Sequence, residues 1–524
     1  MVASDAPLAS DAGVEILKRG GNAVDAAVAV GFAMAVVYPE AGNIGGGGYM
    51  VIRMADGRTA VLDYREIAPL AATRDMYLDD HGNMTNKSVV GPLASGVPGA
   101  VAGLTEALTK YGTMSLADVM APAIRYAEQG FVVDSALARS FTGNERLIAQ
   151  FAGAPLFLPG GEPLAVGARL VQPELARTLH RIVVQGAPGF YSGETAKLIA
   201  DEMRRDGGII TEQDLARYKP VWREPLKSTY RGFTLLSMPP SSSGGVVVTE
   251  TLNILEGVTN VPAFGSTDYA HLLGSAYQRA FIDRNEKLAD PAFANVPLQQ
   301  LTDKTYARKL RATIGDHRAT PTPAVAKAMR EGTETTHYSV ADAAGNAVAT
   351  TTTLNALYGS GVYVTGGGFL LNDEMDDFAA APGKPNMFGL VQGEANAIQP
   401  GKRMLSAMSP TIVLDRNGAL LLVVGSRGGP RIITSTSQVI LNILDHHMIL
   451  SDAVSAPRIH HQALPDSLQY EQNGLSAAVV DSLKAMGYGV QAIGGVGLIN
   501  AIMRVNGGYE GMSDPRSSGR PTGY

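Results

Sequence analysis

The chain has 524 residues, a formal charge of −6 and 45% hydrophobic residues, enough to bury a large core. Charged side chains make up only 18% of it and no basic block stands out, which speaks against nucleic acid as a partner. With no cysteine, disulfides, thiolate zinc sites and a cysteine nucleophile are excluded.

Residues 2–8 lack the basic start and apolar run of a signal peptide. Residues 11–19 read as a short amphipathic helix closed by Gly20-Gly21. Asn22 then caps a second helix, with Asp25 in its first turn. The apolar stretch of that helix, residues 26–38, is too short to span a bilayer and reads as buried. Residues 45–48 are four glycines. Without Lys or Ser/Thr in phosphate-loop spacing, they read as tight packing against a strand. A strand over 49–54 and a turn at Asp56-Gly57 lead into a strand over 59–64. Helices follow at 116–129 and 267–287, the latter after a Pro- and Ser-rich loop at 239–245.

Residues 312–334 are rich in Pro, Ala and charge and read as an exposed connector with little structure. A β pattern starts abruptly at Thr335. Segments 335–340 and 347–354 form a hairpin around 342–346, followed by strands at 411–414 and 419–424. Helices are expected at 434–445, 450–456 and 476–486. Strand pairs set between groups of helices give a layered α/β fold.

Thr335 is the leading candidate for chemistry. Cutting the Glu334–Thr335 bond would free it as a new N-terminus. Its hydroxyl is then a nucleophile and its own α-amine, with a pKa of about 8, a base partly neutral at physiological pH. Other common signatures are missing: no GxSxG elbow, no Walker A loop, no HExxH helix. Arg65 ends a strand. A lone Arg usually faces solvent or an ion-pair partner, but its planar fork also fits a carboxylate. Glu374, Asp376 and Asp377 form either an acidic loop or a site for a ligand ammonium. Gly428-Gly429 is a turn whose consecutive amides would also suit an oxyanion. Residues 350–353 are threonines with strand propensity, of which alternate hydroxyls reach the Thr335 strand. His460-His461 reads as packing rather than as a metal pair.

Together these segments resemble gamma-glutamyltranspeptidase, an N-terminal nucleophile hydrolase, essentially from Met1 to Tyr524. The resemblance runs through Gly20-Gly21-Asn22-Ala23-Val24-Asp25-Ala26-Ala27, residues 45–48, Arg65-Glu66 with Ala68-Pro69, and Ser95-Gly96-Val97-Pro98-Gly99. It continues through Thr335 to Val340, Met375-Asp376-Asp377-Phe378, Met408-Ser409-Pro410-Thr411 and Asp514-Pro515-Arg516. It implies a four-layer αββα sandwich and a precursor that cuts itself before Thr335. The products are a large chain, 1–334, and a small chain, 335–524, intertwined as one heterodimeric unit. It also implies a periplasmic or secreted enzyme whose export signal lies outside this chain. By motif position Thr335 is the nucleophile, Thr353 its assisting hydroxyl, and Gly428 and Gly429 the oxyanion glycines. Arg65 and Ser406 match groups that bind the substrate α-carboxylate; Asn355, Glu374 and Asp377 match those that bind its ammonium. The implied substrates are a gamma-glutamyl donor, glutathione, and water, an amino acid or a dipeptide as acceptor. No metal or organic cofactor is required.

Three positions depart from the family pattern. Ala407 stands where a second Ser is frequent, which removes one carboxylate hydrogen bond. Arg427 and Pro430 flank the glycine pair where Pro and Ser are familiar, which bears on the shape of the oxyanion loop. Phe388 replaces a Tyr in segment 382–393, which resembles a lid, so a lid hydrogen bond through that hydroxyl is lost. Two other readings compete with a gamma-glutamyl enzyme. A cephalosporin acylase of the same family would take a glutaryl group without an ammonium, leaving Asp377 without its cationic partner. A non-catalytic binding protein would have lost the nucleophile or its partners, whereas all remain in this sequence.

Overall fold

A computed structural model describes residues 1–322, 335–387 and 389–524. Glu334, and with it the expected cleavage bond, lies outside the described residues, as does Phe388. In chain order the main strands are β1 (Val2–Ser4), β2 (Gly47–Arg53), β3 (Thr59–Tyr64), β4 (Val221–Arg223), β5 (Leu226–Tyr230) and β6 (Phe233–Ser237). They continue as β7 (Thr336–Ala341), β8 (Ala347–Thr353), β9 (Thr411–Leu414), β10 (Leu420–Arg427), β11 (Leu498–Val505) and β12 (Gly508–Ser513). One six-stranded sheet has the order β1-β7-β8-β2-β3-β4, the other β12-β11-β10-β9-β6-β5. Each sheet therefore takes strands from both sides of position 335.

The period-two alternation of a strand sorts the side chains into layers. Tyr49, Val51, Ala349, Val423 and Ile502 point between the sheets. Their neighbours Met50, Ile52 and Val348 point outward into a core shared with α1 (Pro7–Lys18) and α2 (Ala23–Val37). On the second sheet Leu422, Val424 and Ala501 point to α3 (Gly244–Glu256), α4 (Thr267–Lys287) and α5 (Arg431–Leu444). This is the expected αββα sandwich.

Most expected elements stand where the pattern placed them. Asn22 caps α2 in a reciprocal box with Asp25. The first helix starts earlier than residue 11, because Pro7, whose φ is already helical, sits in its first turn. The strands β11 and β12 were not anticipated; their Asn506-Gly507 turn, with Gly507 at φ 86°, is the signal that marks them. The connector is less loose than its composition implies. Ala319 donates to Met486 O at 2.8 Å and the Thr322 amide to Asp466 Oδ2 at 2.9 Å, so its described part, to residue 322, is tied to the body. No helix among the described residues is long and apolar enough to cross a membrane.

The glycines at 45–48 are packing glycines, as read from the sequence. A Cβ on Gly45 would lie 1.9 Å from Leu370 O, and one on Gly46 1.9 Å from Thr353 O. This close approach presses the turn onto the strand end that carries Thr353.

Candidate active site

Thr335 is buried and immediately precedes β7. The β7–β8 ladder ends on the pair Thr336↔Thr352. One step further along the same register brings Thr335 opposite Thr353. Thr353 Oγ1 accepts the Asn355 amide at 2.7 Å, which fixes the oxygen and leaves its proton to donate. Asn355 adopts φ 79°, a conformation an L-residue holds only under constraint. Its Nδ2 donates to Asp373 O at 3.1 Å.

His337 shares the face of Thr335 two residues on. Its ring nitrogens meet Thr351 Oγ1 at 2.8 Å and Ser339 Oγ at 3.1 Å. Burial pushes this imidazole down to about 3, so it is neutral. It fills the space between the sheets: a Cβ on Gly425 of β10 would lie 2.3 Å from the ring.

Two residues beyond the Gly425-Ser426 pair, β10 gives way to Gly428 and Gly429, at φ 126° and 55°. Glycine alone takes this path cheaply. Their carbonyls accept the Arg431 and Ile432 amides at 3.1 Å each, which starts α5 before the expected residue 434. Among the described residues neither glycine amide donates to a partner. Both are available to an oxyanion.

Arg65 is not on the surface. It is 0% exposed and donates to Glu374 Oε1 and Asp377 Oδ2, with Glu66 at 3.7 Å. Burial opposes its charge, but the surrounding acids outweigh that and hold the guanidinium above its ordinary value. Burial likewise pushes the Glu374 and Asp377 carboxyls up, against the pull of Arg65. Asp376 is tied instead to Ser88 Oγ at 2.7 Å and the Met387 amide at 3.0 Å, and burial raises it to about 6.

One cavity of about 20 Å³ gathers Thr335, Asn355, Glu374, Asp377, Ser406, Ala407 and Gly429. Leu390, from the segment read as a lid, lines it as well. Thr353, Gly428 and Arg65 are absent from its walls. Gly428 adjoins the lining Gly429, and Arg65 sits behind the two lining acids. Ser406 Oγ accepts the Met408 amide at 3.1 Å, so its hydroxyl proton is left to donate. Arg284, on α4, also lines the cavity, and no local motif marks it. Its Nε donates to Ser243 Oγ at 2.9 Å, and Ser243 donates in turn to Ser406 O at 2.6 Å. Burial pushes Arg284 down to about 10, against the pull of Asp377. The cavity thus holds a buried hydroxyl at a strand end, the Gly429 amide, a hydroxyl donor and a pair of buried acids.

The profile described as gamma-glutamyltranspeptidase matches residues 9–524. The chain is 48% identical over 525 residues to the glutathione hydrolase proenzyme of Escherichia coli (strain K12), covering 99% of this chain and 90% of that protein. It is 41% identical over 532 residues to the acylase ACY 1 proenzyme of Pseudomonas sp. (strain SE83), covering 99% and 93%. Its fold matches the crystal structure of cephalosporin acylase from Bacillus halodurans at a TM-score of 0.87 and 29% identity, covering 99% of this chain and 94% of that one.

Proposed function

The chain belongs to the gamma-glutamyltranspeptidase family, and from that premise we propose how its cavity carries out gamma-glutamyl transfer. It is a gamma-glutamyl hydrolase and transferase, made as a precursor and matured by its own cut. Glutathione is the donor, by likeness to the glutathione hydrolase proenzymes.

Maturation breaks the bond between Glu334 and Thr335. Thr335 Oγ attacks the carbonyl carbon of the preceding residue, an ester replaces the amide, and water hydrolyses the ester. The α-amine of Thr335 is then free, and neutral in part at physiological pH. The chains 1–334 and 335–524 remain one unit, because each sheet draws strands from both.

In the mature enzyme the donor's amino acid head occupies the cavity. Its ammonium faces Asp377 and Glu374 and the Asn355 side chain. Its α-carboxylate takes the Ser406 hydroxyl and the Arg65 guanidinium, which turns from the two acids as the ammonium replaces it. The γ-carbonyl carbon then lies against Thr335 Oγ. The Thr335 amine accepts the hydroxyl proton as Oγ attacks, with Thr353 donating to hold the nucleophile in line. The Gly428 and Gly429 amides face the oxyanion. Collapse expels the leaving amine, which takes the proton from the Thr335 ammonium, and leaves a gamma-glutamyl ester. Water or an acceptor amine attacks the ester and restores the hydroxyl.

The observation that carries this reading is the meeting of Thr335, Gly429, Ser406, Glu374 and Asp377 in one cavity. The buried acid pair also favours a donor with an ammonium: a glutaryl carboxylate that drew Arg65 away from the two acids would bring no cation to take its place. Turnover of a gamma-glutamyl anilide by Thr335→Ala tests the reading. Release of the aniline falls to background and the chain stays whole. Release at the unmutated rate would overturn it.

A further inference from the structure

Arg427 stands next to the oxyanion turn, and the structure gives it a purpose. Its guanidinium donates to the Tyr38 hydroxyl at the end of α2 and lies with its Nε 3.9 Å from Asp5 Oδ2. Asp5 directly follows β1, the strand that pairs with the nucleophile strand β7. The same Asp5 Oδ2 accepts the Thr336 hydroxyl at 3.1 Å, and its Oδ1 accepts Asn500 Nδ2 at 3.0 Å. Asn500 pairs with Gly425 in the β10–β11 ladder and donates also to His337 O at 3.0 Å. One buried carboxylate therefore hydrogen-bonds the residue after Thr335 and the strand beside β10, and faces as an ion pair the side chain that opens the Gly428-Gly429 turn.

We infer that Asp5 is a positioning residue: through Thr336, Asn500 and Arg427 it fixes the distance between the Thr335 hydroxyl and the Gly428 and Gly429 amides. The inference rests on the roles proposed above for Thr335 and the glycine pair. The two groups belong to different sheets, so nothing in either ladder alone sets their separation. A neutral pair of hydrogen bonds would serve one sheet edge. A buried carboxylate is held by charge as well, and a partner on each side resists displacement more than one alone. Burial pushes the Asp5 carboxyl up, and Arg427, Asn500 and Thr336 each pull it back. At a usual turn a proline would restrict the backbone from within. Here an arginine, with a freer backbone, is anchored from outside.

Oxyanion stabilisation acts on the transition state, so its misalignment lowers kcat and leaves KM in place. The test compares Asp5→Asn, Arg427→Gln, the double variant and Thr335→Ala on a gamma-glutamyl anilide, with intact mass and Tm recorded for each. Asp5→Asn and Arg427→Gln are expected to lower kcat about ten- to a hundredfold with KM within about twofold, and the double variant to be no worse than the poorer single. Unchanged kcat in either single variant, or losses that multiply in the double, would overturn the inference. Should Asp5→Asn fail to fold, Arg427→Gln decides alone, because it leaves the bonds of Asp5 to Thr336 and Asn500 intact. If Thr335→Ala keeps its turnover, the underlying reading fails; if it is inactive while the other variants match the parent, only the positioning role fails.

Discussion

The reacting and recognising halves of the site are built on opposite plans. Thr335, Thr353, His337 and the glycine pair sit on strand ends and a turn whose geometry is set by ladders, close glycine contacts and a neutral buried imidazole. Arg65, Glu374 and Asp377 sit on a strand end and a short 3₁₀ turn and satisfy one another by charge. In the first half the glycine amides stand without a partner among the described residues, as the proposed oxyanion role requires. The second is closed on itself, in a cavity of about 20 Å³, and a ligand must exchange its own charges for those already paired. On the proposed function, fixed chemistry joined to exchangeable recognition would let binding energy from the zwitterionic head place the γ-carbonyl.

The largest effect is expected at the glycine run. In Gly46→Ala the new Cβ would sit 1.9 Å from the Thr353 carbonyl oxygen, backbone that cannot move without moving β8. That variant is expected to lose folding or self-cleavage altogether, read by soluble yield and intact mass. The recognition half gives a smaller effect of a different kind. Asp377→Asn removes one charge from the proposed ammonium site and is expected to raise KM for a gamma-glutamyl donor about a hundredfold, about 3 kcal/mol. The same change should cost a glutaryl donor far less, and steady-state kinetics on both donors reads the difference.

Acid acts with opposite sign on His337 in the first half and on Asp376, the buried neighbour of Asp377. His337 has its folded pKa lowered from 6.5 to about 3, so the unfolded chain binds the proton first as pH falls. Its contribution to stability is full above pH 6.5 and declines by about 1.4 kcal/mol per pH unit down to about 3. Asp376 has its folded pKa raised from 3.8 to about 6, so its contribution is full below pH 3.8 and is lost as pH rises through 6. In urea unfolding from pH 4 to 7, His337→Gln should flatten the acid-side loss and Asp376→Asn should steepen it. A flat difference for both would show that neither burial is felt. The smallest effect is a gain. Ala407→Ser adds a hydroxyl beside Ser406 in the cavity, and is expected to lower donor KM several-fold, about 1 kcal/mol, with kcat unchanged.

The helix and strands that frame the site were legible in the sequence because their signals are local. Asn22 and Asp25 cap a helix three residues apart, Asp56-Gly57 turns a hairpin, and β-branched residues at 350–353 extend a strand. The partners within the recognition half were not legible. Arg65 meets Glu374 and Asp377 across 309 and 312 positions, and nothing in a lone arginine says whether it pairs with ligand or with protein. Asp5 and Arg284 escaped for the same reason: one looks like a residue before a helix cap, the other like the polar face of a long helix. Both acquire their chemistry only from what the tertiary fold brings against them.

In the proposed function Thr335, freed by its own cut, carries the gamma-glutamyl group. The direct measurement is acid quenching of the mature enzyme during turnover of a gamma-glutamyl anilide, followed by peptide mass mapping. A small chain that begins at Thr335 and bears the gamma-glutamyl mass on its first peptide is expected. An uncut chain that nonetheless turns over, or an acyl group on any other residue, would contradict it.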